Sequence, residues 1–258
     1  MVYGIRQVLK NWGSAFLYPR PLIGIRYLPR FLKDWHTYSR MTATERLRFK
    51  DAHPCLMDRL GYTPFDPHYF YQAAWLARKL AESKPMRHVD IGSSVMAIGV
   101  LSAVVNTIFV DYRPLSTSLS NLWSISADIV FLPFKTGSIE SLSCLHVIEH
   151  IGLGRYGDPL DPQGSVKAAH ELERVLTPGG MLYVSLPIGW ERVCFNAHRV
   201  FAPERARDLF RPLRLAEFAL VDDAGHLKEN QALESAKRYH YGCGMFAFEK
   251  RESPLSKG

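Results

Sequence analysis

The chain has 258 residues, 47% hydrophobic and 22% charged, a globular composition with enough apolar material for a sizeable core. No apolar run is long enough to span a bilayer, nothing reads as a cleavable signal, and four scattered cysteines without a C-x-x-C pair suggest reduced thiols and a cytoplasmic setting. Of the net charge of +7, residues 1–40 carry seven Lys/Arg against the single Asp34, the rest being almost neutral; no zinc-finger, helix-turn-helix or aromatic RNA-binding signature points to nucleic acid.

In chain order, residues 1–65 read as a basic, aromatic-rich leader and residues 66–258 as one α/β domain. Within residues 12–40, Arg20, Arg26, Arg30, Lys33 and Arg40 alternate with Phe16, Tyr18, Tyr27, Phe31 and Trp35. That mixture suits either peripheral contact with an anionic membrane or a lid whose rings pack inward beneath solvated arginines. Pro19, Pro21 and Pro29 break the segment into short pieces. Thr42-x-x-Glu45 forms a capping box expected to open a short helix. A stronger helix begins at Asp66 with Pro67 in its first turn; Phe70, Ala73, Ala74, Ala77, Leu80 and Ala81 make its apolar face.

Beyond it the pattern alternates. Strands are predicted at 88–91, 107–110, 125–129, 141–145, 181–186, 215–221 and 244–248. Helices are predicted from Gly92-Ser-Ser to about Val105, from Ser165 to Leu176 and from Pro203 to Phe210, with Pro178-Gly179-Gly180 stopping the second. Such alternation predicts a mostly parallel sheet, in which ligands lie outside the carboxyl ends of the strands. Asp90-Ile91-Gly92-Ser93-Ser94 occupies the first such end, where glycine permits close backbone approach. Asp111 closes the second strand, placed to accept hydrogen bonds from ribose hydroxyls. Dinucleotide and adenosylmethionine enzymes share these features, but the G-x-G-x-x-G turn that a pyrophosphate needs is missing. That weighs against a nicotinamide-dependent oxidoreductase.

The ordered set Ala127-Asp128…Leu132-Pro133-Phe134, Ser138 to Glu149-His150, and Arg174-Val-Leu-Thr-Pro178-Gly-Gly180 resembles class I S-adenosylmethionine-dependent methyltransferases. The runs His88–Ser94, His146–Gly164 and Phe195–Arg199, with Tyr71-Gln72 and Tyr241–Gly244, resemble a bacterial methyltransferase-like family of unknown function associated with surface-polysaccharide biosynthesis. The resemblance implies a Rossmann-like fold: a mostly parallel seven-stranded sheet with an antiparallel C-terminal strand and helices on both faces. It implies S-adenosylmethionine as cofactor, bound in part by Gln72 and Ile91, with Asp90, Gly92 and Ser93 around its methionine part. Asp111 would take the ribose, with Tyr112 against the adenine; Asp128 and Ile129 would hold the adenine, and His146 would lie along the cofactor. Ser94 departs from the family pattern, which has a second glycine there; a non-catalytic Rossmann-like module at the membrane surface is the alternative reading.

Methyl transfer to a sugar hydroxyl requires a base, and histidine is the usual one near neutral pH; His150 and His198 are the candidates. Arg155, Tyr156, Asp158, Asn196 and Arg199 suit a polyhydroxylated acceptor, a small-molecule or lipid-linked glycan. Each residue also has a plain structural reading: Glu149 and His150 as loop caps, His198 and Arg199 as a hydrogen-bonded corner, Asp158 as a turn residue. Cys144, His146 and His150 lack a recognisable ligand framework, so no metal is expected.

Overall fold

The structure is a computed structural model that describes residues 24–113 and 115–252. The chain divides into two compact units, Met1–Pro64 and Phe65–Gly258. The parts of the basic leader before Gly24, including Pro19 and Pro21, lie outside the described residues.

In the first unit, a 3-10 turn at Gly24–Tyr27 leads into helix α1, Leu28–Met41. Pro29 sits in the first turn of α1, where its missing N–H costs nothing. None of the α1 residues is buried. Arg26 and Arg30 lie over the Tyr27 ring at 5.6 and 5.2 Å. The capping box forms its first bond, Glu45 N–H to Thr42 Oγ1 at 2.9 Å, but opens no helix. Thr42 instead terminates α1, and Glu45 turns back to the Tyr38 hydroxyl.

The second unit begins with helix α2, Pro67–Ser83, whose Asp66 cap accepts from the N–H groups of His68 and Tyr69. Its buried side is Gln72, Trp75, Leu76 and Leu80, one step around from the predicted face. Phe70 and Ala81 are exposed. Trp75 and Leu76 decide the orientation, because burying them removes far more area from water than the alanines do. Trp75 Nε1 and Lys79 Nζ both bond Glu217, tying α2 to the far half of the sheet.

Strand β1, Arg87–Ile91, is followed by the short helix α3, Val95–Leu101, and by β2, Asn106–Asp111, β3, Leu122–Ser126, and β4, Ile139–Leu145. Helix α4, Gly164–Val175, leads into β5, Leu176–Gly189. A hairpin of β6, Arg192–Cys194, and β7, His198–Val200, stands apart as its own two-stranded sheet. Helix α5, Pro203–Asp208, then β8, Arg214–Val221, β9, Leu227–Lys228, and β10, Tyr241–Glu249, complete the unit.

The main sheet has the order β3-β2-β1-β4-β5-β10-β8-β9. β3 through β5 run parallel, whereas β10 is antiparallel to both β5 and β8. This is the predicted seven-stranded sheet with one extra two-residue edge strand. Helices cover both faces: one core cluster gathers α4 and α5 with Val89, Leu142, Leu182, Phe246 and Phe248. The other gathers α2 and α3 with Phe109, Tyr183, Met245 and Ala247. Successive residues of β10 thus enter opposite cores, as a fully buried strand requires.

Several predicted boundaries move: α3 stops at Leu101, four residues short of Val105, and α5 at Asp208, two short of Phe210. β3 ends at Ser126, three residues before its expected end; Ile129 is apolar because it joins the core below the following turn. β5 starts at Leu176 and takes in Pro178-Gly179-Gly180, because Gly179 and Gly180 exchange backbone bonds with Lys250.

Candidate functional site

A crevice opens at the carboxyl ends of β1 to β4, where the strand order reverses between β1 and β4. It encloses about 720 Å³ of space, open solvent at its mouth included. Ile91 and Gly92 line it from β1, Asp111 and Tyr112 from β2, Asp128 and Ile129 after β3, and His146 and His150 after β4. Tyr156 and Asp158 close one side. Ten of the predicted site residues are thereby brought together.

Gly92 is left-handed, at φ +66°, and a Cβ there would stand 3.3 Å from both methyls of Val147 and 3.6 Å from Asp111 Oδ2. The turn is therefore a cradle that any side chain would fill. Asp111 Oδ1 accepts from the Arg113 N–H at 2.7 Å, while Oδ2 faces Gly92. Asp128 Oδ1 accepts from the Val130 N–H at 3.0 Å, which fixes its carboxylate at the crevice wall.

Asp90, Ser93 and Gln72 do not line the crevice. Asp90 is fully buried and accepts from Ser93 N–H at 3.0 Å, from Ser93 Oγ at 2.6 Å and from the Ser143 hydroxyl. Burial raises its pKa to about 6, against the lowering effect of these bonds. Ser93 Oγ also accepts from the Leu145 N–H, so Asp90 and Ser93 stitch the β1 turn to β4 from beneath. Behind them His88 bridges Ser141 and Ser143 at 2.8 Å each; burial lowers its pKa to about 3, so the ring is neutral. Ser143 donates to Asp90 and so must accept from His88 Nε2–H, which fixes the tautomer. Gln72 is buried, where Oε1 accepts from the Ser185 hydroxyl.

The acceptor-side residues separate similarly. His150 Nδ1 donates to Ala197 O at 2.6 Å, leaving Nε2 as the acceptor nitrogen. Nε2 stands 3.8 Å from Glu149 Oε1, beyond hydrogen-bond range. Burial lowers the His150 pKa, partly offset by the Glu149 charge, so the ring is neutral near pH 7. Tyr156 meets His150 edge-on at 5.6 Å and carries the guanidinium groups of Arg113 and Arg155 over its ring at 4.7 and 5.0 Å. Arg155 also donates to Ala197 O at 3.0 Å.

Asp158 lines the crevice, but its oxygens accept from the N–H groups of Gly152 and Tyr156, as a turn residue. Arg199 Nη1 donates to Ile151 O at 2.7 Å and to Ser165 Oγ at 3.0 Å, which anchors the guanidinium as a corner between the hairpin and the loop after β4; it does not line the crevice. His198 lies away from the crevice, tilted against Tyr241 at 5.4 Å, and Asn196 is exposed in the hairpin turn.

Two residues not singled out from sequence, and one read there only as a loop cap, Glu149, also stand here. Arg113 and Val147 line the crevice, and each directly follows a strand-end motif. Glu149 is completely buried, and His146 Nδ1 donates to its Oε1 at 2.8 Å. On the other side of the His146 ring, Nε2 lies 3.3 Å from Cys243 Sγ. Burial opposes charge on His146, yet Cys243 and Glu149 raise its pKa well above the usual imidazole value. His68 and Tyr69 stack on the same ring at 5.7 and 5.6 Å.

The architecture is that of the class I methyltransferase fold. N-methyltransferase NodS from Bradyrhizobium japonicum, solved with S-adenosyl-L-homocysteine, aligns at a TM-score of 0.50 and 15% identity, over 71% of this chain and 88% of NodS. The YcgJ protein of Bacillus subtilis aligns at 0.50 and 13%, over 71% of this chain and all of YcgJ. At these identities the likeness is one of fold. A profile described as a Caenorhabditis protein of unknown function, DUF268, matches residues 132–238. No curated protein sequence matches the chain.

Proposed function

We propose that this chain is an S-adenosylmethionine-dependent methyltransferase acting on a hydroxyl of a sugar or glycan acceptor, free or lipid-linked, in cell-envelope polysaccharide synthesis. The observation that carries the cofactor is the Gly92 cradle at the switch point, with Asp111 Oδ2 turned towards it. Gly92 and Ile91 would border the methionine part, Asp111 the ribose, and Tyr112, Asp128 and Ile129 the adenine. The solved likeness of NodS with S-adenosylhomocysteine supports the same ligand class. A pyrophosphate suits the turn less well: the N–H of Gly92 is spent on Val110 O and that of Ser93 on Asp90.

When bound, the cofactor supplies an electrophilic methyl group. The chain's own part is to position the acceptor and take its proton. His150 is the base this geometry favours: Ala197 O holds Nδ1–H, its neutral Nε2 is free to accept, and the Glu149 carboxylate stabilises the imidazolium that results. His198 does not line the crevice.

Calorimetric titration with S-adenosylhomocysteine tests the cofactor. Binding should weaken about tenfold to a hundredfold in Asp111→Ala, as for loss of a charge-assisted hydrogen bond; a folded wild type that ignores high-micromolar ligand rejects the reading. His150→Ala should keep binding and lower transfer by about 10²–10⁴. Labelled adenosylmethionine incubated with a lysate's carbohydrate fraction tests the acceptor, and label confined to protein or nucleic acid would overturn it.

A second reading, a membrane-surface module without catalysis, is favoured by α1, where no residue is buried and Phe31 and Trp35 sit beside Arg30 and Lys33. It requires sedimentation with anionic vesicles and no methyl transfer. No helix among the described residues is long and apolar enough to cross a membrane.

A further inference from the structure

We infer that His68, His146 and Cys243 form a binding site for a zinc-class transition-metal ion, with Glu149 holding one of its imidazoles. The three residues come from the start of α2, the end of β4 and the start of β10, and their ligand atoms all lie within 4.8 Å of one another. A tetrahedral zinc with bonds of about 2.0 Å to nitrogen and 2.3 Å to sulfur spaces its ligand atoms about 3.3–3.8 Å apart. His146 Nε2 and Cys243 Sγ already stand at 3.3 Å, so only His68 has to close in.

Three further observations point to a cation. The far nitrogen of His146 donates to the Glu149 carboxylate at 2.8 Å, the carboxylate–imidazole–metal row that orients and strengthens histidine ligands. Glu149 is completely buried, and its Oε2 has no hydrogen-bond partner among the described residues; a cation on the far side of the His146 ring offsets the burial of this carboxylate. The donor set of two imidazoles and a thiolate is the softness zinc prefers. Cys243, His146 and Glu149 in a row also resemble a nucleophile–base–carboxylate relay. Cys243 is fully buried, however, so a small ion reaches its sulfur and a substrate carbonyl does not.

The charges balance. The thiol of Cys243 loses its proton to solvent, as does any proton on the His146 and His68 nitrogens that face the ion. Two neutral imidazoles and one thiolate then donate electron pairs to a doubly charged cation, and Glu149 supplies the remaining negative charge. No oxidation or reduction is involved. Bound there, the ion clips the first turn of α2 to β4 and β10 beside the crevice.

The test is titration of the chelator-stripped full chain with Co²⁺, then competition by Zn²⁺. Thiolate-to-cobalt charge-transfer absorption should saturate at one ion per chain and bleach with zinc. It should vanish in Cys243→Ser and persist in the Cys55→Ser/Cys194→Ser double variant. Glu149→Gln should weaken the metal about 10–100-fold. A folded wild type without the band, or a band carried by Cys55 or Cys194, overturns the site. Should Cys243→Ser fail to fold, His68→Ala decides, because unchanged cobalt affinity there also overturns it. S-adenosylhomocysteine binding measured on the same samples separates failure of this site from failure of the methyltransferase reading.

Discussion

At the scale of single residues, Asp90 shows how a predicted ligand contact becomes a buttress. Its carboxylate is surrounded by Ser93 and Ser143 and fully buried. Because burial raises its folded pKa from 3.8 to about 6, the folded state holds the proton more tightly than the unfolded chain. Asp90's contribution to stability is thus complete below pH 3.8 and lost as pH rises through about 6. Relative to Asp90→Asn, wild-type unfolding free energy should fall by at most ~3 kcal/mol across that window. Urea melts from pH 4 to 7 measure it; a pH-independent difference would rule the account out. The sequence placed Asp90 at the correct strand end, since strand-end acids are visible in β-rich runs. Which way the carboxylate turned depended on Ser143, more than fifty residues away, and no local pattern carries that pairing. The anchoring of Arg199 was hidden for the same reason: its bonds to Ile151 and Ser165 join segments more than thirty residues apart.

Among elements, α2 is where local chemistry and packing agree on position but not on orientation. The Asp66–Pro67 start was legible because N-cap and first-turn proline are sequence-local signals. The buried face was not, since a run rich in alanine tolerates several rotations until Trp75 finds Glu217. Asp66→Ala should therefore cost about 1 kcal/mol, as is typical for losing a cap that satisfies two backbone donors, and chemical denaturation with an unchanged m-value would register it. The same substitution loosens the backbone that presents His68, so cobalt affinity should fall alongside stability. No loss of stability would mean the cap bonds are not what holds this terminus. The β6–β7 hairpin escaped sequence reading altogether. Its strands are three residues each, too short for alternation to stand out, yet its Ala197 carbonyl sets which nitrogen of His150 carries the proton.

For the molecule as a whole, the parallel half of the sheet was foreseeable from the alternation of strand and helix, and the antiparallel last strand from the family resemblance. The order of strands along the sheet was not legible, because it is set by pairings between distant segments. Nor was the eighth strand, because two residues of β9 carry no periodicity. Every described residue of both core clusters lies between Tyr71 and Phe248. A chain of residues 65–258 should consequently unfold in one cooperative transition, within ~1 kcal/mol of the full-length protein. Circular dichroism during guanidinium denaturation decides this; a broad transition, or one much weaker than that of the intact chain, would mean residues 1–64 help to build the domain.

The place of β10 has a consequence for how the protein is made. It enters the sheet between β5 and β8, although it is synthesised after both. Until residues 241–249 have left the ribosome, two long apolar strands wait with bare edges, each a template for pairing with another chain. The nascent protein is thus most exposed to aggregation just before its sheet can close, and the closing stroke belongs to β10.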